Sequence, residues 1–260
     1  MTLRLAVIGG TGVDSRMLFG VTKPLRVETP FGPVMLQESQ HGRGERVFFL
    51  ARHGTGHSVP PHRINYRANA WALRHLGAEA VVATAAVGAL RKEIRPGDLV
   101  MIDSFIDLTS GRPSTFFDGD DGRVVHTDMT QPYCPTLRQA MAAAGEDLPV
   151  RIHQTGCYVC TNGPRYETPA EVAAFAMLGG DVVGMTGVPE VVLIRELGIC
   201  YATIALVTNL GAGLSPIALK HDDVVQRMQA GGDIVCRLLR DVVDSLVHAD
   251  CSVCRDVDRA

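Results

Sequence analysis

The 260-residue chain has no basic run: 25 Lys and Arg stand against 28 Asp and Glu, a formal net charge of −3. Nucleic-acid backbones are bound by concentrated cationic surface, so no nucleic-acid partner is expected, and any anion the chain binds should be small and held locally. Long apolar runs are missing as well. The most apolar stretch, Ala80 to Leu90, is well short of the roughly 20 residues that cross a bilayer, and the N-terminus passes from one short apolar run into glycines without a signal-peptide core. No membrane partner and a cytoplasmic location are the expectation. An even cysteine framework is absent too: Cys134, Cys157, Cys160, Cys200, Cys236, Cys251 and Cys254 are odd in number and scattered, which predicts reduced thiols rather than a set of disulfides. Two Cys-x-x-Cys pairs stand out. Cys157 and Cys160 lie in a strand-like run, where residues three apart face opposite sides, so the two pairs are not expected to share a zinc ion. Cys251 and Cys254 fall in a polar tail, residues 249–260, and are read as a redox element or as having no role. No metal site is predicted.

Several phosphate and catalytic signatures are also lacking. "AVIGGTGVDS", Ala6 to Ser15, ends an apolar run in Gly9-Gly10-Thr11-Gly12, but a dinucleotide fingerprint needs a third glycine where Ser15 stands, then a crossover helix before an acid. Glu28 is at about the right distance, yet Gly20, Lys23 and Pro24 break the intervening stretch. No Gly-Lys-Ser/Thr follows, so there is no Walker loop. No G-x-S-x-G elbow offers a serine nucleophile. The acids of "FFDGDDGRV" are spaced a little like a calcium loop, but the twelfth position counted from Asp118 is Met129, where a bidentate acid is needed.

What is there is 46% hydrophobic residues in short runs, each closed by a loop: Leu5–Ile8, Val47–Leu50, Ala80–Val87, Leu99–Ile102, Cys157–Cys160, Val182–Met185 and Tyr201–Val207. Between them the period becomes helical. A helix is predicted after Pro60-Pro61, closed by Gly77. A second has Thr168 as N-cap, Pro169 at the first position and Glu171 at capping-box spacing, and stops at Gly179. A third starts at Pro189 and ends at Gly198, and a long amphipathic helix runs from about His221 to Val247. Strands alternating with helices, with no repeat or linker, predict one α/β domain over residues 1–248, a mixed central sheet flanked by helices.

Ligands of open α/β sheets gather at the carboxyl ends of strands. Thr11, Arg52, His53, Ala85, Ala86 and Thr186 all stand at such ends, and hydroxyls, a guanidinium, an imidazole and backbone amides together make a phosphate cradle. Singly, His53 also reads as a turn residue and Thr186 as a helix cap. "IGGTG", "TPFG", "LARHG", "NYRANAWAL", "GDLVMIDSFIDLTSGRPSTFFDG", "YCPTLR", "GPRYETPAE" and "GMTGVPEVVL", in this order over nearly the whole chain, closely resemble the trimeric purine nucleoside phosphorylase and methylthioadenosine phosphorylase family. The resemblance implies phosphorolysis of purine nucleosides to a free purine and a sugar 1-phosphate, with orthophosphate as co-substrate and no metal or organic cofactor. It also implies a homotrimer or a dimer of trimers, with Met185 against the ribose and His126 offered to a neighbouring subunit's sugar pocket.

Two positions bear on the base. A 6-oxopurine presents an N1–H donor and O6 and N7 acceptors; Glu167 accepts from N1–H and Asn209, with His53 the candidate catalytic pair, donates toward O6 or N7 as charge moves onto the base. Tyr166, Leu210 and Gly211 complete the expected base site. Inosine or guanosine is expected over adenosine, whose N1 lone pair would face the Glu167 carboxylate. His221, near the start of the last helix, is expected to meet a 5′-hydroxyl. The alternative is a methylthio substrate, S-methyl-5′-thioinosine or methylthioadenosine, taken by a different 5′ pocket.

Overall fold

The computed structural model describes residues 4–41, 45–120, 122–215, 221–245, 251 and 254. Eleven strands are formed among them: β1 (Leu5–Gly9), β2 (Lys23–Val27), β3 (Val34–His41), β4 (Glu45–Ala51), β5 (Ala80–Ala89), β6 (Leu99–Met101), β7 (Ser104–Asp107), β8 (Ile152–His153), β9 (Cys157–Cys160), β10 (Val182–Gly184) and β11 (Cys200–Leu210). The helices are α1 (Ser15–Phe19), α2 (Tyr66–His75), α3 (Pro135–Gly145), α4 (Pro169–Met177), α5 (Gly187–Glu196) and α6 (His221–Ser245). All strands join one mixed sheet, as expected.

β5 is the centre of that sheet. Its side chains alternate between two cores: Val81, Ala83, Ala85 and Val87 face a layer containing α2 and α5, while Ala80 and Val82 face Leu137 and Met141 of α3 and Leu238, Leu239 and Val242 of α6. On one edge β11 runs parallel along all of β5. The other edge changes partner: β1 pairs in parallel from Leu5↔Ala80 to Ile8↔Ala83, and β10 pairs antiparallel at Val183↔Gly88 and Val182↔Ala89. Among the described residues no strand pairs with residues 84–87 on that edge, so the sheet splits there, at the carboxyl ends of β1 and β4.

Local chemistry explains most element ends. Thr168 caps α4 in a complete capping box with Glu171, and Pro169 opens the helix. α2 begins later than Pro60-Pro61 suggests, because the Asn65 side chain accepts from the Ala68 N–H and caps it there, while Pro61–Arg63 is a single 3-10 turn. Regular α5 geometry starts at Pro189, since Val188 is extended. Among the described residues no helix is long and apolar enough to cross a membrane. Of residues 249–260, Cys251 and Cys254 are described and both are buried, 3% and 0% exposed, in the core beside α3 and α6; they do not lie on a polar surface.

Candidate active site

The split in the sheet opens into a cleft of about 420 Å³. One end is walled by Thr11 from the loop after β1, Arg52 and His53 just after β4, Ala85 and Ala86 from the part of β5 that has β11 on one edge and, among the described residues, no strand on the other, and Thr186 after β10. The other end is walled by Tyr166, Glu167, Asn209 and Gly211, with Met185 also on the wall. The residues singled out along the sequence therefore converge, with three exceptions. Leu210 is not on the wall; it packs against the core and offers its carbonyl oxygen to Asn209. His221 opens α6, but its side chain lies outside the described residues. His126 is exposed in a loop and does not line the cleft.

Close backbone approach shapes the first loop. The Gly10 N–H donates to Thr84 Oγ1 at 2.8 Å. Gly12 has φ +80°, and a Cβ there would stand 2.9 Å from Met228 Cβ on α6, so only glycine lets the loop turn against that helix.

Arg52 is not a free cation. Its Nε and Nη2 donate to Glu190 Oε2 and Oε1, both at 2.7 Å, and Nη1 donates to Thr84 O at 2.8 Å. Tyr201 donates its hydroxyl to the same Glu190 at 2.7 Å. The side chains of Arg52 and Glu190 are 1% and 4% exposed, and the carboxylate holds the arginine charged despite a burial that opposes it. Any attraction Arg52 exerts on an anion is thus offset by a buried countercharge.

His53 departs from the expectation that its imidazole is an anion donor. Its Nδ1 lies 2.9 Å from Val59 O. A carbonyl only accepts, so Nδ1 carries the proton, and in the neutral ring Nε2 has a lone pair. Burial, with the nearby Arg52 and His57 adding to it, pushes the imidazole down to about 4, so His53 is neutral at pH 7. In that state Nε2 can only accept a hydrogen bond, as from a P–OH group, and it becomes a donor only when the ring is protonated.

At the other end, Thr161 donates to Glu167 Oε1 at 2.9 Å, and burial pushes the Glu167 carboxyl above the ordinary glutamate range. Asn209 donates one Nδ2 N–H to Leu210 O at 3.0 Å and its Oδ1 lies 2.8 Å from the Thr208 hydroxyl. One amide N–H is left for a ligand. A bulge in β11 sets this geometry: Val207 pairs with Val87, but Asn209, not Thr208, pairs with Gly88. Gly88 leaves room for this amide: a Cβ there would sit 3.0 Å from Asn209 Nδ2 and push it aside. Thr186 stands at the N-cap of α5 without a side-chain cap bond, and Tyr158 Oη accepts from the Thr186 and Gly187 N–H groups at 3.2 and 3.4 Å.

Sequence reasoning missed Glu190, Tyr201, Thr84 and Thr208. Glu190 and Tyr201 are polar groups inside otherwise apolar elements, "VPEVVLIREL" and "CYATIALV"; that isolation was the available signal, since a buried charge needs a partner.

Comparison with known proteins fits this cleft. The model of the Phosphorylase superfamily matches residues 4–244. A probable 6-oxopurine nucleoside phosphorylase of Dictyoglomus turgidum is 48% identical over 98% of this chain and 96% of its own length. The 6-oxopurine nucleoside phosphorylase of Pyrococcus furiosus is 48% identical over 91% and 90%, and a probable S-methyl-5′-thioinosine phosphorylase of Methanopyrus kandleri 48% over 86% of each. Among solved structures, methylthioadenosine phosphorylase from Schistosoma mansoni in complex with adenine superposes with a TM-score of 0.88 at 35% identity, covering 93% of this chain and 91% of that one. The cleft at the split sheet is therefore that of a nucleoside phosphorylase fold, and the chain belongs to the phosphorylase superfamily.

Proposed function

We propose that this protein cleaves 6-oxopurine nucleosides, inosine and guanosine, with orthophosphate to give the free purine and ribose 1-phosphate. One observation carries the reading: a single cleft joins an end suited to a small oxyanion, Thr11, Arg52, His53, Ala85, Ala86 and Thr186, to an end that offers both an acceptor, Glu167, and a spare amide donor, Asn209. Phosphate at the first end lies beneath C1′ of the sugar. As the C1′–N9 bond breaks, its electron pair moves onto the purine and positive charge builds on the sugar. The phosphate oxygen stabilises that charge and then bonds to C1′. Asn209 meets the growing charge at N7 or O6, so its hydrogen bond is stronger in the transition state than in the ground state. Glu167 accepts from N1–H, which adenosine lacks. Orthophosphate is a co-substrate, and the reaction as proposed asks for no metal or organic cofactor.

The relatives named 6-oxopurine nucleoside phosphorylase support this substrate class. The Methanopyrus kandleri relative, equally similar over a shorter span, supports a second reading, S-methyl-5′-thioinosine, which shares the base and differs at the 5′ end. Assembly as a homotrimer belongs to the same proposal: His126 and Val124 share an exposed loop, Val124 75% exposed, and a neighbouring copy would cover it. We place the enzyme in the cytoplasm, where seven unpaired thiols stay reduced. The test is incubation of the purified protein with inosine, guanosine, adenosine or methylthioinosine, with and without phosphate. Hypoxanthine and ribose 1-phosphate in equal amounts, only with phosphate, are expected. Release without phosphate refutes phosphorolysis, and a strong preference for methylthioinosine promotes the second reading.

A further inference from the structure

Four cysteines from three distant parts of the chain meet at one point outside the cleft. Cys134 is the N-cap of α3, Cys200 is the first residue of β11, and Cys251 and Cys254 follow α6. Their Sγ atoms all lie within 4.8 Å of one another, and each residue is 3% exposed or less. Cys251 and Cys254 form a turn, with the Cys254 N–H donating to Cys251 O at 3.3 Å and the two sulfurs 3.5 Å apart. A tetrahedron of sulfurs with metal–sulfur bonds of about 2.3 Å has edges of about 3.8 Å, which falls between those separations. Two disulfides would need only two close pairs; here all four sulfurs approach one another.

We propose that Cys134, Cys200, Cys251 and Cys254 bind one zinc ion as a tetrathiolate. Four soft ligands in a tetrahedron suit a d¹⁰ ion without redox chemistry. On binding, four S–H bonds give up their protons to solvent and four Zn–S bonds form, with no change of oxidation state. The N-terminus of α3 at Cys134 places backbone N–H groups beside the resulting anionic cluster. Four protein ligands leave no open position, so the ion is structural. It also lies outside the cleft: Ala85, on the cleft wall, pairs with Ala205, five residues along β11 from Cys200, about 17 Å by strand rise. Its effect is to tie the segment after α6 to α3 and to the head of β11. Cys157 and Cys160 take no part.

The test uses full-length protein purified without chelator in a phosphine reductant. Elemental analysis is expected to find about one zinc per chain. Cys251→Ser/Cys254→Ser should fall below about a tenth of that and melt about 5–10 °C lower, while Cys157→Ser keeps its zinc. Phosphorolysis at room temperature should stay within about twofold in the double variant. Wild-type protein stripped of metal and titrated with Co²⁺ supplies a second readout that does not depend on the variant folding: an intense sulfur-to-cobalt charge-transfer band and the red d–d bands of a tetrahedral site, abolished by zinc. Zinc well below one per chain with no cobalt band overturns the proposal. So does a freshly purified, unreduced chain that is four hydrogens lighter than its sequence, the mark of two disulfides.

Discussion

Replacing Glu190 by Gln tests how charge is distributed beneath the oxyanion end of the cleft. The side chain keeps its shape but loses its charge, and its amide N–H₂ turns toward one of the two Arg52 donors that Glu190 now receives at 2.7 Å. Arg52 has no solvent to fall back on, at 1% exposure. Removing one partner of such a pair typically costs about 3–5 kcal/mol, which for a chain of this size lowers the melting temperature by about 10 °C. The same change should tighten phosphate binding. A carboxylate on the far side of a guanidinium sits roughly 8 Å from an anion on the near side, and at an effective dielectric constant of about 20 it repels each phosphate charge by about 2 kcal/mol. Allowing for relaxation, a gain of about tenfold in phosphate affinity is expected, alongside the loss of stability. Urea unfolding measures the first quantity and titration calorimetry with phosphate the second, and phosphate should restore more stability to the variant than to the wild type. Arg52→Met supplies the contrast, since it also destabilises but must weaken phosphate. A folded Glu190→Gln protein whose phosphate affinity is unchanged or weaker would show that Arg52 does not face the anion, and a stability loss under about 1 kcal/mol would show that the pair is not buried as described.

Asn209→Asp should cut inosine turnover by about 10- to 100-fold in kcat/KM and raise the adenosine-to-inosine ratio by about tenfold. Leu210 O faces the amide nitrogen, so the new carboxyl is held protonated there, and an unchanged ratio in a folded variant removes Asn209 from base selection. His53 makes stability depend on acid. Its imidazole sits near 4 in the folded chain against 6.5 unfolded, so the unfolded state takes up the proton first and stability falls as pH drops from about 6.5 toward 4. Between pH 7 and pH 5, His53→Gln should gain about 2 kcal/mol relative to the wild type in denaturant titrations; equal slopes for the two would mean that His53 is not buried in neutral form.

The amino-acid sequence determined those features whose chemistry is local. The capping box at Thr168 and Glu171 and the apolar runs that became β1, β4, β5, β9 and β11 depend on neighbours within a few residues, and strand ends identified most of the cleft because ligands collect there. Tertiary structure decided what depends on partners distant in sequence. β2 and β3 are half-polar strands that exist because they pair with one another and with β4. The split beside residues 84–87 arises because β5 changes partner from β1 to β10, and the bulge before Asn209 appears only when β11 is laid along β5. Glu190 meets Arg52 across 138 residues, which turns a free guanidinium into half of a buried pair, and the Val59 carbonyl fixes the tautomer of His53. The four-cysteine cluster is the clearest case: spacing shows a pair at Cys251 and Cys254, but Cys134 and Cys200 join it through the packing of α3 and β11, a contact that no short-range pattern encodes.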